Sequence, residues 1–165
     1  MTVGRILTHL FTTAWSVRRA FPPRLLARIE QTVGECEASH SGEIRFAVEH
    51  SLDLPELLRG ETARERAIDV FSTLRVWDTE QNNGVLIYLL LADHDVEIVA
   101  DRGIHARVGP QGWELVCRQM ESAFRQGDFE GGVLGGIRAV SEHLRRHYPA
   151  QGAQENEVPN RPAVL

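Results

Sequence analysis

The sequence predicts an α/β fold, a three-layer α/β/α sandwich around a small mixed sheet of three to four strands, the first two parallel and a hairpin leading to the third. Three observations predict it. The unbroken apolar run Val85-Leu86-Ile87-Tyr88-Leu89-Leu90-Leu91 has the character of a central strand covered on both faces. Alternating segments lie before and after it, and helical periods precede, separate and follow the strands. At 165 residues, 42% hydrophobic and 25% charged, the chain has the size and composition of a single domain.

Taken in order, residues 1–21 predict an amphipathic helix with Leu7, Leu10, Phe11, Ala14 and Trp15 on one stripe and Arg5, Arg18 and Arg19 off it. Phe21-Pro22-Pro23 ends it, because two prolines cannot continue a helix. A second helix carries Leu25, Leu26, Ile29, Val33 and Cys36 on one face and stops at the Ser41-Gly42 turn. Glu43 to Glu49 alternates, with Ile44, Phe46 and Val48 on one side, as a half-covered strand does. A loop with Pro55 follows, then a helical period from about Thr62 to Trp77. After the central run, Asp93-His94-Asp95 reads as a tight turn into an alternating strand with Val96, Ile98 and Ala100 on one face. Beyond Asp101 the chain turns through Gly103 and Gly109-Pro110 into a helix bearing Trp113, Val116, Cys117, Met120 and Phe124. The last helix runs from about Glu130 to Tyr148, and residues 149–165, polar and proline-bearing, read as a disordered tail.

Composition removes several chemistries. All 18 basic residues are arginine, so neither a Schiff-base lysine nor a phosphate-loop lysine exists. A net charge of −5 lacks the basic excess that nucleic acid attracts, and it suits a cation or a cationic partner better. Cys36 and Cys117 each sit in a helical pattern and read as small buried apolar residues. No G-x-S-x-G elbow is present, and Gly131-Gly132 with Gly135-Gly136 suit close helix packing better than a phosphate cradle. No apolar window is long enough to span a bilayer and no leader pattern opens the chain, which together predict a cytoplasmic protein.

The segments Gln81-Asn82-Asn83-Gly84-Val85-Leu86-Ile87, Val96 to Gly103, and Phe124-Arg125-Gln126-Gly127-Asp128-Phe129-Glu130-Gly131-Gly132 carry a resemblance. In that order and spacing they resemble the TPM domain, a family named for a thylakoid lumen protein, a photosystem repair protein and a nematode receptor modulator. The resemblance spans roughly Leu25 to Leu144 and makes residues 22–148 a TPM-like α/β/α domain. It implies divalent-metal binding and acid phosphatase activity, both attributed to some members, or an assembly or repair role, as in others. Without a leader or anchor pattern, the chain looks like the short bacterial form.

Strand direction sorts the polar residues into two ends of the sheet. Glu43, Asp78, Asn82, Asn83 and Asp101 fall at one end, where hard oxygens suit calcium or magnesium and Arg102 would clamp a phosphate. As a phosphatase, Asp101 or Glu43 would position water and Arg102 would bind phosphate. The same residues also read as an ordinary cap, a turn and a surface ion pair. His50, Asp53, Asp93, His94 and Asp95 fall at the other end as an alternative site, although short polar residues are what a hairpin turn selects anyway. His143 and His147 stand four apart on a helix but lack the glutamate of a zinc protease motif, and Arg145 and Arg146 mark a solvated helix end.

No organic cofactor is indicated. The two function readings are a divalent-metal-binding interaction or assembly module and a metal-dependent acid phosphatase acting on phosphomonoesters. The N-terminal stripe is expected to dock on its own domain, the alternatives being a protein partner or a membrane surface that would make the protein membrane-peripheral.

Overall fold

The sheet has four strands in the order Asp95–Ala100 (β3), Gly84–Leu90 (β2), Glu43–Glu49 (β1) and Ala163–Val164 (β4), and this computed structural model describes residues 3–152 and 155–165. β1 (Glu43–Glu49) and β2 (Gly84–Leu90) are parallel, with Glu43 opposite Gly84 and Glu49 opposite Leu90. β3 (Asp95–Ala100) returns antiparallel to β2 through a hairpin, Val85 facing Ala100. Helices cover both faces, as the apolar central run demands. Ile44, Phe46, Val48, Val85, Ile87, Leu89, Val96 and Ile98 form one core with α2 (Ala14–Ala20), α3 (Pro23–Glu37), α7 (Pro110–Arg125) and α8 (Phe129–His147). Ala47, Leu86, Tyr88, Leu90 and Val99 form a smaller core under α4 (Leu54–Arg59) and α5 (Ala63–Thr73). One glycine of each pair in α8 packs closely on α7: a Cβ at Gly132 would stand 2.5 Å from the Phe124 ring and one at Gly136 2.2 Å from Met120 Sδ, whereas Gly135 faces open space.

Several expectations need correction. The N-terminal segment is two helices, α1 (Val3–Phe11) and α2, because Thr13 starts α2 as its N-cap and Ser16 accepts from the Thr13 N–H at 3.3 Å. Its apolar stripe faces away from the domain: Leu7, Leu10, Phe11 and Trp15 are all exposed, while polar His9 is buried. The loop around Pro55 is a helix, α4, opened by Asp53, whose N–H donates to Glu56 Oε2 at 2.7 Å, and α5 stops at Thr73 rather than reaching Trp77. Residues 149–165 are not a free tail. Ala163–Val164 form β4, parallel to β1, and Val158 is buried. A two-residue strand carries no period, so its pairing was invisible in sequence.

A further short helix, α6 (Arg102–Val108), occupies the stretch read as a turn beyond Asp101. It packs tightly against the segment before β2. A Cβ at Gly103 would lie 2.5 Å from the Asn82 carbonyl oxygen, and one at Gly84 would lie 1.9 Å from the Val76 carbonyl oxygen. Only glycine allows both approaches. The Asn-Asn-Gly turn is thereby clamped between β1, β3 and α6.

Candidate functional site

At the opening end of the sheet, β1 and β2 begin and β3 finishes. Asp101 closes β3, its N–H donating to Gly84 O at 2.8 Å, and caps α6 by accepting from the Arg102 N–H through Oδ1 at 2.7 Å. Its second oxygen, Oδ2, is buried with no hydrogen-bond partner among the described residues. Asn82 adopts the left-handed conformation, φ 53°, and its carbonyl accepts from the Ile104 N–H at 3.2 Å. Asn83 is fully buried. Its N–H donates to Thr79 Oγ1 and its Nδ2 to the Ser41 carbonyl, both at 3.1 Å, while Oδ1 is left without a partner. Asn82, Asn83 and Asp101 are thus brought together around Gly84, and two buried side-chain oxygens there are unsatisfied, a costly state for groups withdrawn from water.

Glu43 and Asp78 are engaged elsewhere. The Glu43 carboxylate accepts from the N–H groups of Glu157 and Val158 at 3.2 and 3.3 Å and so holds the C-terminal segment. Burial pushes Glu43 upward, and it pushes the adjoining Glu37 up to about 8, so that Glu37 keeps its proton and donates it to Glu43. Asp78 is an exposed ion-pair partner of Arg75. Arg102 is exposed on α6. Among the described residues, no three His, Cys, Asp or Glu side chains are grouped to hold a metal ion. The donors at this end are instead one carboxylate oxygen, one amide oxygen and backbone carbonyls. That set fits a hard cation keeping several waters and does not fit zinc.

Sequence reasoning missed what lies beside these residues. A polar cleft of about 260 Å³ is lined by Ser41, Gln81, Arg107, His147, Tyr148 and Gln151. Ser41 Oγ donates to Gln81 Oε1 at 3.1 Å, and the Arg107 guanidinium lies 5.1 Å over the Tyr148 ring. Arg107 reaches the cleft because α6 turns where a loop was expected. No spacing in the sequence marked it.

At the closing end, where β1 and β2 finish, the alternative residues do not form one group. Asp93 accepts from Arg5 Nη2 at 2.9 Å and bonds His9 Nε2 at 3.0 Å. Burial pushes Asp93 up, but the hydrogen bonds from Arg5 and His9 outweigh it and hold the carboxyl below the usual carboxylate range. Asp53 heads α4, His50 Nδ1 bonds the Leu165 carbonyl at 3.2 Å, and His94, at φ 51°, stacks on Phe129. Burial and the neighbouring Glu97, Glu121 and Asp93 push Asp95 up to about 6. His143 packs edge-on against Trp113 at 5.3 Å, and burial lowers its basicity. Both cysteines are free and part-buried, and burial pushes the Cys117 thiol up to about 12, far from a reactive thiolate.

A profile of the TPM domain family matches residues 19–143, most of the chain and all of the sheet except β4. The chain belongs to the TPM domain family. Among solved structures, this TPM domain is similar to the BA42 protein of the psychrophilic bacterium Bizionia argentinensis, with 28% identity and a TM-score of 0.75 over 86% of this chain and 93% of that one. It also shares its fold with the N-terminal domain of a P. gingivalis protein, at 17% identity and a TM-score of 0.60 over 79% of this chain and 82% of that one. Comparison with proteins of curated function returned no match. No helix among the described residues is long and apolar enough to cross a membrane.

Proposed function

We propose that this TPM domain binds a divalent cation, calcium or magnesium, at the opening end of the sheet and serves as an interaction or assembly module. The reading is carried by the paired observation that Asn83 Oδ1 and Asp101 Oδ2 are both buried and both lack a partner. A bound cation would satisfy such acceptors, with Asn82 or a neighbouring carbonyl and water completing the oxygen shell. With a single carboxylate, affinity belongs at the weak end of the calcium range, about 10⁻⁴ to 10⁻³ M. Titration calorimetry with calcium and with magnesium tests it. Saturable heat that Asp101→Asn removes supports the site; no heat and an unchanged melting temperature in chelator end the proposal.

The cleft beside the site supports a second reading, a metal-dependent acid phosphatase acting on phosphomonoesters. Arg107 and His147 line it and would bind the phosphate, while Arg102, exposed on the same helix, lies outside its lining. The cation would neutralise charge on the transferring group. Release of phosphate from p-nitrophenyl phosphate that falls in Arg107→Ala and in Asp101→Asn supports this reading. Hydrolysis unaffected by both would point to a contaminant.

A further inference from the structure

Helix α1 is docked the wrong way round for a helix that only completes a core. Its polar side faces the domain: Arg5 bonds Asp93 and the Glu61 carbonyl, and buried His9 bridges Asp93 Oδ1 and the Leu52 N–H, both at 3.0 Å. Its apolar side faces out, with Leu7 48%, Leu10 58% and Phe11 79% exposed, and Trp15 at the start of α2 is 66% exposed. The backbone groups that hold α1 lie just before and just after α4, which itself exposes Leu54 and Leu58. Large apolar side chains gathered in this way on a folded domain mark a surface meant to be covered.

The charge distribution says by what. Residues 1–29 contain five arginines and no Asp or Glu, whereas residues 30–165 hold the other 13 arginines and all 23 acids. Two of the five are spent internally, Arg5 on Asp93 and Arg28 on Glu130. Arg18, Arg19 and Arg24 are exposed, and Arg19 lies 5.6 Å over the Trp15 ring. We propose that the α1–α2 face is a docking surface for an anionic lipid bilayer, with Leu7, Leu10, Phe11 and Trp15 entering the headgroup–acyl boundary and Arg18, Arg19 and Arg24 lying against acidic headgroups. The acidic remainder of the domain is repelled by the same surface, which orients the protein with this face down. The Arg5–Asp93–His9 contacts hold the apolar side chains ready before any lipid is met. The inference stands apart from the cation site, which lies at the other end of the sheet.

The test is co-sedimentation of the full chain with vesicles of phosphatidylcholine containing about one-third phosphatidylserine, beside vesicles of phosphatidylcholine alone. Binding to the anionic vesicles that weakens in high salt is expected, with a blue shift of tryptophan fluorescence that Trp15→Phe removes. Leu10→Ser with Phe11→Ser, and separately Arg18→Gln with Arg19→Gln, are each expected to reduce affinity about tenfold while the melting temperature holds, since all four side chains are exposed. Equal partitioning to neutral vesicles, no partitioning to either, or partitioning unchanged in both double variants overturns the proposal. So does a dimer in sedimentation analysis that Leu10→Ser with Phe11→Ser dissociates, because the stripe would then be covered by a second copy.

Discussion

The two ends of the sheet treat their buried polar groups in opposite ways. At the closing end Glu49 and Asp93 are paired: Glu49 receives Arg66 through Nε at 2.9 Å and Nη2 at 2.7 Å and accepts from Tyr88 Oη at 2.6 Å, while Asp93 is held by Arg5 and His9; Asp95, beside Glu97, Glu121 and Asp93, is the exception. At the opening end, Asn83 Oδ1 and Asp101 Oδ2 are left open, and burial, with Glu43 beside it, pushes Glu37 up to about 8. A buried network with its bonds made stabilises the fold, whereas each buried acceptor left open costs free energy and calls for a water, an ion or strain to account for it. The difference teaches that acids placed together by topology need not share a site, since Glu43 and Asp78 turn to other partners.

The largest effect should come from breaking the paired end. Glu49→Ala strands a part-buried guanidinium and a buried phenol, and it is expected to lower unfolding free energy by about 3–5 kcal/mol in urea denaturation. Asp93→Ala removes the anchor of α1 as well as a charge-assisted pair, with an expected loss of about 2 kcal/mol and faster hydrogen exchange at the Leu52 N–H that His9 now covers. A loss no larger than that of an exposed ion pair in either variant would erase the contrast between the ends.

Glu37 sharpens the comparison through pH. Its folded pKa is raised from the ordinary value to about 8, so its contribution is fully present below the unfolded pKa and is lost as pH rises through 8. Glu37→Gln imitates the protonated acid. The variant should match the native chain near pH 4 and exceed it by about 1–2 kcal/mol at pH 8, discounted for partial exposure. Buried His40, which burial lowers to about 4, works in the opposite sense, its contribution being lost as pH falls from the ordinary histidine range. Taking the difference between variant and native chain cancels it. Melting curves across pH that stay parallel would mean the carboxyl is not buried in solution.

The smallest expected stability change belongs to Asp101→Asn, within about 0.5 kcal/mol, because the amide oxygen still caps α6. The same substitution should abolish the stabilisation that calcium confers, about 1.4 kcal/mol for the native chain at ten times the dissociation constant. A large loss of stability without calcium would make Asp101 a structural residue and nothing more.

The strands were legible because their periods are strong: six consecutive apolar residues after Gly84 in β2, and alternation in β1 and β3 broken only at Ala47 and Val99. The Asn-Asn-Gly strand, the Val96 to Gly103 segment and the Phe124 to Gly132 segment together carried the family resemblance, which the profile match over residues 19–143 establishes. Shorter elements escaped. α4 and α6 are six and seven residues long, less than two turns of period, and β4 is two. The site residues were half legible, since topology placed Asn83 and Asp101 at one end but could not say that Glu43 turns to the C-terminal segment or that Asp78 turns to Arg75.

By itself, then, local pattern determined which segments become strands and long helices, because burying or exposing a face leaves a periodic trace in the chain. Which side of α1 faces inward was decided only by tertiary structure. A helix with Arg5 and His9 on one side and Leu7, Leu10 and Phe11 on the other has two possible docking faces, and a single part-buried acid 84 residues from His9, Asp93, selects the polar one. Pairing between residues so distant leaves no local mark, and it alone turned an apparent core stripe into a surface.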